Sequence, residues 1–297
     1  MTAGLGESAQ RKEWEDGVHS VVSLNSKRRY RRFNIHSCFD IYPDEGVGRD
    51  LAGLASGGEV DRSFRPGWIL SPSPQIRWSR RHGAAGRKHE MIDLYTDSSP
   101  NGFKATIALE ELALPYRLHH VKIDDGAHRQ PEFLALNPHG RIPVISDADT
   151  GVTLFESAAI LLYLADKTGR LLPQGTKARW EAVKWLQFHA ASMGPLLGQR
   201  VHFEMFAEEK LPAAIERYRR LTEEAFSTLD ARLTDVSWLA GDEYSIADIA
   251  TFGWTHIAAI CGFSFAHHRN LLRWHERVAD RPAVQRGIAL PAPATGP

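Results

Sequence analysis

Ser99 and Asn101 place a hydroxyl and an amide where a strand pattern turns into a helix. Ile92, Leu94 and Tyr95 read as a short strand, and residues 98–102 as a Ser-Ser-Pro-Asn-Gly turn. Lys104, Ala105, Ile107, Ala108, Glu111 and Leu112 then follow helical spacing, which predicts an amphipathic helix over residues 102–112. Backbone N–H groups at a helix start point outward, and the positive end of the dipole favours an anion. A thiolate is one such anion, and a helix N-terminus lowers a thiol pKa from about 8.5. No cysteine occupies the turn, so a thiolate held there must arrive with a ligand. Ser, Pro, Asn and Gly are also ordinary turn and cap residues, so this feature alone fits either reading.

Two further pairs carry potential chemistry. Pro143 follows Ile142 at the entry to a predicted third strand. A cis bond at Pro143 would leave the backbone of Ile142 open to an extended peptide, while a plain strand-edge proline would do nothing. Glu156-Ser157 opens another helix, whose free N–H groups suit a ligand carboxylate. Glu156 is placed to meet an ammonium beside it, or the pair is simply a cap. Carboxylate, ammonium, peptide backbone and thiolate are together the groups of glutathione.

The elements that must position these residues follow in order. Residues 91–95 and 116–123 read as strands, and residues 131–136 as a short helix ended by the turn Asn137-Pro138-His139-Gly140. Residues 143–146 and 152–155 flank a turn at 147–151 and predict a hairpin, closed by a helix over 156–167. A βαβ unit followed by α and ββα is a thioredoxin-like arrangement. Residues 169–175 are a linker, and the chain beyond it reads as helical: 179–193, broken at Gly194-Pro195, then 212–233, 245–261 and 271–279. The expected fold class is therefore an α/β thioredoxin-like domain (residues 91–170) followed by an all-α domain (residues 176–290). Residues 290–297 are small and Pro-rich and expected to fray.

Residues 1–90 show no sustained periodicity. They carry 15 Lys and Arg against 11 Asp and Glu, and the remainder carries 21 against 25, so the overall charge of +0 hides an asymmetry. The basic run at residues 27–32 could be a nucleic-acid arm, and the arginines lack the apolar stretch an export signal needs. The favoured expectation is an unstructured or non-native extension, with Met91 a plausible first residue of the functional chain.

A net charge of +0 gives no bulk electrostatic case for nucleic acid or membrane as partner. The longest apolar run, residues 158–165, is far short of the roughly 20 a spanning helix needs. Cys38 and Cys261 are too few for a disulfide framework and fit a reducing, cytoplasmic location. The pairs His119-His120 and His267-His268 lack further ligands at metal spacing, so no metal is expected. Ser245-x-x-Asp248 reads as a capping box rather than chemistry, and Tyr95 lies in the strand, before the turn.

The segments SSPNGFKATIALEEL, NPHGRIPVI, LFESAAILLYLADKTG, AIERY and YSIADIA together resemble cytosolic glutathione transferases over residues 91–286. The resemblance is strongest to the bacterial nu class, related to yeast prion-type nitrogen regulators, whose members reduce disulfides with glutathione. That branch carries Thr-Pro-Asn-Gly, and here Ser99 stands for the Thr, keeping the hydroxyl. The resemblance implies a glutathione-dependent disulfide reductase with glutathione as cosubstrate, acting on a small disulfide as a homodimer. Ser99 and Asn101 would hold the glutathione sulfur, Ile142 and Pro143 the ligand backbone, and Glu156 and Ser157 the γ-glutamyl end. Arg217 would reach glutathione across a dimer cleft. His128 aligns with the family's usual glutamine and would either contact glutathione or lie in a solvated loop. Residues 193–206 would line the second-substrate pocket. A conjugating transferase and a non-catalytic binding or regulatory protein are the alternatives.

Overall fold

The structure is a computed structural model in which residues 91–291 are described. The expectations for residues 1–90 and for the tail beyond Pro291 lie outside the described residues.

Strand β1 (Ile92–Thr96) alternates in burial, with Ile92, Leu94 and Thr96 facing inward as period-two geometry requires. Helix α1 (Pro100–Leu112) returns the chain to β2 (Tyr116–His120), which pairs parallel with β1. A 3₁₀ turn (Ala127–Arg129) and the short α2 (Pro131–Leu134) lead to the antiparallel hairpin of β3 (Val144–Asp147) and β4 (Val152–Phe155). The sheet order is β2-β1-β3-β4, with β1 and β3 antiparallel. Helix α3 (Ser157–Thr168) closes this layer. The arrangement is the expected thioredoxin-like one.

After the linker come α4 (Thr176–Phe188), α5 (Gly194–Val201), α6 (Pro212–Arg232), α7 (Ile246–Ile260), α8 (Arg269–Ala279) and α9 (Pro282–Ile288). Helix α7 is buried from Ile246 through Ala258 and forms the centre of the bundle. Its capping box is complete. Asp248 accepts from Ser245 N and Leu239 N at 2.9 Å, Ser245 Oγ at 3.1 Å and Trp274 Nε1 at 2.8 Å. Burial pushes the Asp248 carboxyl up, and these four donors pull against it.

Three readings change. Helix α1 is not amphipathic: ten of its thirteen residues are buried, because α3, α7 and α9 pack against it. The chain does not break at Gly194-Pro195. A π-helical turn (His189–Met193) lets the helix continue, and Pro195 falls in the first turn of α5, where a missing N–H costs little. Helix α9 was not expected, and it buttresses α1. Thr106 Oγ1 donates to Gly287 O at 2.8 Å, and a Cβ on Gly287 would stand 2.7 Å from Ile107 Cα. One apolar cluster runs from Ile92, Leu94 and Phe103 to Leu186, Phe226 and Trp274, so sheet and bundle share a core. A smaller cluster of Val121, Phe133 and Val144 supports the loop carrying Ile142.

Candidate glutathione site

The turn after β1 is held by Asp97, whose buried carboxylate accepts from Ser98 N (2.7 Å), Ile123 N (3.0 Å) and His120 Nε2 (2.9 Å). Ser99 is the N-cap of α1, and its Oγ accepts from Gly102 N at 2.9 Å. Pro100 follows in the first turn. Gly102 has no room for a side chain: an added Cβ would lie 2.3 Å from Asp97 O and 2.5 Å from Thr96 Oγ1. Glycine here permits the tight closure that puts Ser99 and Asn101 at the same helix end.

Asn101 Oδ1 accepts from Lys104 Nζ at 2.8 Å and from Trp254 Nε1 at 3.3 Å. The indole N–H can only donate, as can Lys104 when protonated, so the amide oxygen is assigned to face them and the amide nitrogen faces the other way with two hydrogens to give. Lys104 Nζ also donates to Ser157 Oγ at 3.1 Å. One ammonium thus joins the first turn of α1 to the first residue of α3. Lys104 is 3 % exposed, and burial lowers it to about 7 against the opposing pull of Glu156. Glu156 is exposed, precedes α3 and has φ +70°, a conformation sparsely populated by non-glycine residues.

The Ile142–Pro143 bond is cis. Val144 pairs with Tyr95, so Pro143 stands beside the end of β1 from which the Ser99 turn departs. Ser99 and Asn101 at the start of α1, Pro143 at the entry to β3 and Ser157 at the start of α3 are therefore supplied by three separate parts of the chain. His128 is 6 % exposed on the 3₁₀ turn, which removes the solvated-loop alternative. Arg217 lies exposed on α6, and among the described residues it makes no hydrogen bond to Asn101 or Ser157. Residues 193–206 run through α5 into a second π-helical turn (His202–Phe206), where Phe203 stacks on Tyr218 beside Arg217.

Sequence reasoning overlooked Lys104 and Trp254. A single lysine between Phe103 and Ala105, three residues after Asn101 and inside an otherwise apolar run, was the available signal. Trp254 carried none, because its role depends on α7 crossing α1. The histidines read as metal-poor have carboxylate partners: His119 meets Asp93 at 2.7 Å and stacks on Tyr95. His268 meets Glu223 at 2.6 Å. No group of three or more potential metal ligands occurs among the described residues. Cys261, the one cysteine among them, is buried, and burial pushes its thiol up to about 12.

A thioredoxin-like sheet that offers two helix N-termini and a cis-proline edge, joined to a helical bundle, defines the class of two-domain glutathione-binding proteins. Residues 98–167 match the model of the glutathione S-transferase N-terminal domain, and residues 189–282 that of the C-terminal domain. The chain belongs to the glutathione S-transferase family. It is 43 % identical over 203 residues to the disulfide-bond oxidoreductase YfcG of Escherichia coli, covering 67 % of this chain and 94 % of that one. The E. coli disulfide-bond oxidoreductase YghU is 36 % identical over 216 residues, 67 % of this chain and 74 % of its own. A glutathione transferase from Burkholderia graminis, solved with two glutathione molecules per subunit, superposes with a TM-score of 0.65 at 40 % identity, covering 68 % and 89 %. One from Pseudomonas putida, solved with one glutathione disulfide per subunit, gives 0.64 at 36 %, covering 68 % and 92 %. Among the described residues no helix is long and apolar enough to cross a membrane.

Proposed function

We propose that this protein is a glutathione-dependent thiol–disulfide oxidoreductase in which every exchanging sulfur belongs to a ligand. The observation that carries this is the orientation of Asn101, whose amide oxygen is taken by Lys104 and Trp254 at a helix N-terminus that holds no cysteine, which leaves its amide nitrogen to donate elsewhere. Cys261, buried and with its thiol raised, is unsuited to exchange. The kinship with disulfide-bond oxidoreductases supports the same reading.

On this reading the Ser99 hydroxyl and the Asn101 amide donate to the sulfur of glutathione and hold it as thiolate. Ile142 and Pro143 take the peptide backbone, with His128 beside them. Glu156 and Ser157 take the ammonium and carboxylate of the γ-glutamyl end, at the positive end of α3. The thiolate attacks one sulfur of a substrate disulfide. That S–S bond breaks, a mixed disulfide forms, and the leaving thiolate takes a proton from solvent. A second glutathione thiolate then attacks the mixed disulfide, releasing the second substrate thiol and glutathione disulfide. Two glutathiones are oxidised for each disulfide reduced. The protein would act as a cytoplasmic homodimer, with Arg217 reaching the ligand across the cleft.

The test is glutathione-dependent reduction of a small disulfide by the wild type and by the double variant Ser99→Ala, Asn101→Ala. Each hydrogen bond to a charged partner is worth roughly 1.5–3 kcal/mol, so kcat/KM should fall by about 100-fold or more. An unchanged rate would refute the assignment of roles. Activity confined to a chlorinated nitroarene would replace the reductase with a conjugating enzyme, and failure to bind either glutathione or its disulfide would leave a non-catalytic module.

A further inference from the structure

Lys104 is the one charged side chain buried inside α1. Its stem lies against α7, where a Cβ on Gly253 would stand 3.3 Å from Lys104 Cγ. Its ammonium has three hydrogens, and two are spent on Asn101 Oδ1 (2.8 Å) and Ser157 Oγ (3.1 Å). The groups that face it are few and come from every element packed around it. Its own helix contributes Asn101, α3 contributes Ser157 with the Glu156 carboxylate just before it, and α7 contributes Trp254. The π-helical turn contributes His189, which is 1 % exposed. Burial, and then the Lys104 charge, hold that imidazole neutral, and neither of its ring nitrogens has a partner among the described residues. Among the described residues Glu156 is thus the one anion acting on this buried cation, and it sits on the exposed surface.

A buried ammonium whose counter-charge lies on an exposed residue is half of an ion pair. The site it faces is the one argued above to receive a ligand thiolate and carboxylate. We propose that Lys104 is the positioning residue and internal counter-charge of the glutathione site, turning the Asn101 amide nitrogen toward the ligand sulfur, anchoring Ser157, and taking up a proton as the ligand's anionic groups arrive. The proposal rests on the glutathione-binding reading of this site. Without the ammonium, Asn101 Oδ1 loses its shorter hydrogen bond, and the amide is free to present oxygen instead of nitrogen to a thiolate. Near neutral pH the empty site holds Lys104 partly unprotonated, and a bound carboxylate or thiolate favours the charged form.

Glutathione disulfide has no thiol to titrate, and its α-amino groups take up protons alike in wild type and variant, so the difference between the two proteins isolates the lysine. Calorimetry in two buffers of different ionisation enthalpy should record net proton uptake by the wild type about one pH unit above the Lys104 value, and little uptake about one unit below it. Lys104→Met should take up fewer protons than the wild type at the higher pH and the same number at the lower. Ultraviolet titration of the bound thiolate should place the glutathione pKa about one unit or more higher in Lys104→Met than in the wild type. Equal thiolate pKa values and equal proton uptake in the two proteins would overturn the proposal. If Lys104→Met does not fold, absence of pH-dependent uptake in the wild type alone would overturn it. A wild type that binds glutathione with these signatures but reduces no disulfide would leave Lys104 in place and reject the reductase. A wild type that binds neither ligand would overturn both.

Discussion

Gly253 in α7 has no side chain of its own, yet it sets how closely the bundle approaches the turn. An added Cβ would lie 2.4 Å from Pro100 O, 3.3 Å from Lys104 Cγ and 3.5 Å from Pro100 C. The first distance is roughly 1 Å short of ordinary van der Waals separation, and its partner is backbone that no rotamer change can move. In a helix interior with open space, Gly→Ala stabilises by about 1 kcal/mol. At Gly253 the overpacking should cost about 1–3 kcal/mol. Relief of the clash moves α7 away from α1 and breaks the bond from Trp254 Nε1 to Asn101 Oδ1, already 3.3 Å long, for about 1 kcal/mol more. Gly253→Ala should therefore destabilise by about 2 kcal/mol net and weaken glutathione binding by about fivefold. Urea unfolding followed by tryptophan fluorescence gives the first number, and calorimetric titration gives the second. The sign decides: a variant more stable than the wild type would mean that the close approach of α1 and α7 does not exist and that Trp254 does not orient Asn101.

Two further outcomes follow from buried polar groups. Asp248→Asn turns an amide toward donors that the carboxylate now satisfies, so thermal unfolding should show a loss of about 3 kcal/mol, roughly 10 °C. Burial lowers His256 to about 4 and His275 to about 3, so below about pH 6.5 the unfolded chain binds more protons than the folded one. Stability should fall as pH drops from 6.5 toward 4, and His275→Phe should flatten that acid limb; an unchanged limb would show that the imidazoles are not held neutral.

What could be read in the chain was what short stretches determine by themselves. The strand at residues 92–96, the Ser99 cap and the Ser245-Asp248 box each follow from a few adjacent residues, and each pattern has one local solution. Lys104 followed from nothing local. A lysine at a helix start is normally a solvated residue, and only the arrival of α7 along its stem and of α3 at its ammonium encloses it. Helix α9 was missed for the reverse reason. Seven residues containing Pro282, Gly287 and two charge-bearing or amide side chains have little helical pattern, and tertiary packing through Gly287 forms the element. Gly194-Pro195 misled because those residues usually punctuate helices, and a π-helical turn absorbed them. Arg217 makes no hydrogen bond to Asn101 or Ser157 among the described residues, and only the family resemblance pointed to it.

The opposition between a capping serine and a functional serine dissolves in this geometry. A hydroxyl accepts with its lone pairs and donates with its one proton. Ser99 spends a lone pair on Gly102 N, which leaves the proton for an anion outside the helix. Asn101 is divided in the same way, its oxygen committed inward to Lys104 and Trp254 and its nitrogen directed outward. Each residue holds the fold with its accepting side, and on the proposed reading would meet the ligand with its donating side. A cysteine at Ser99 would give a poor cap and a protein-borne sulfur. The hydroxyl gives a firm cap and a site that pays no cost for storing a thiolate until the ligand brings one, with Lys104 as the charge that awaits it.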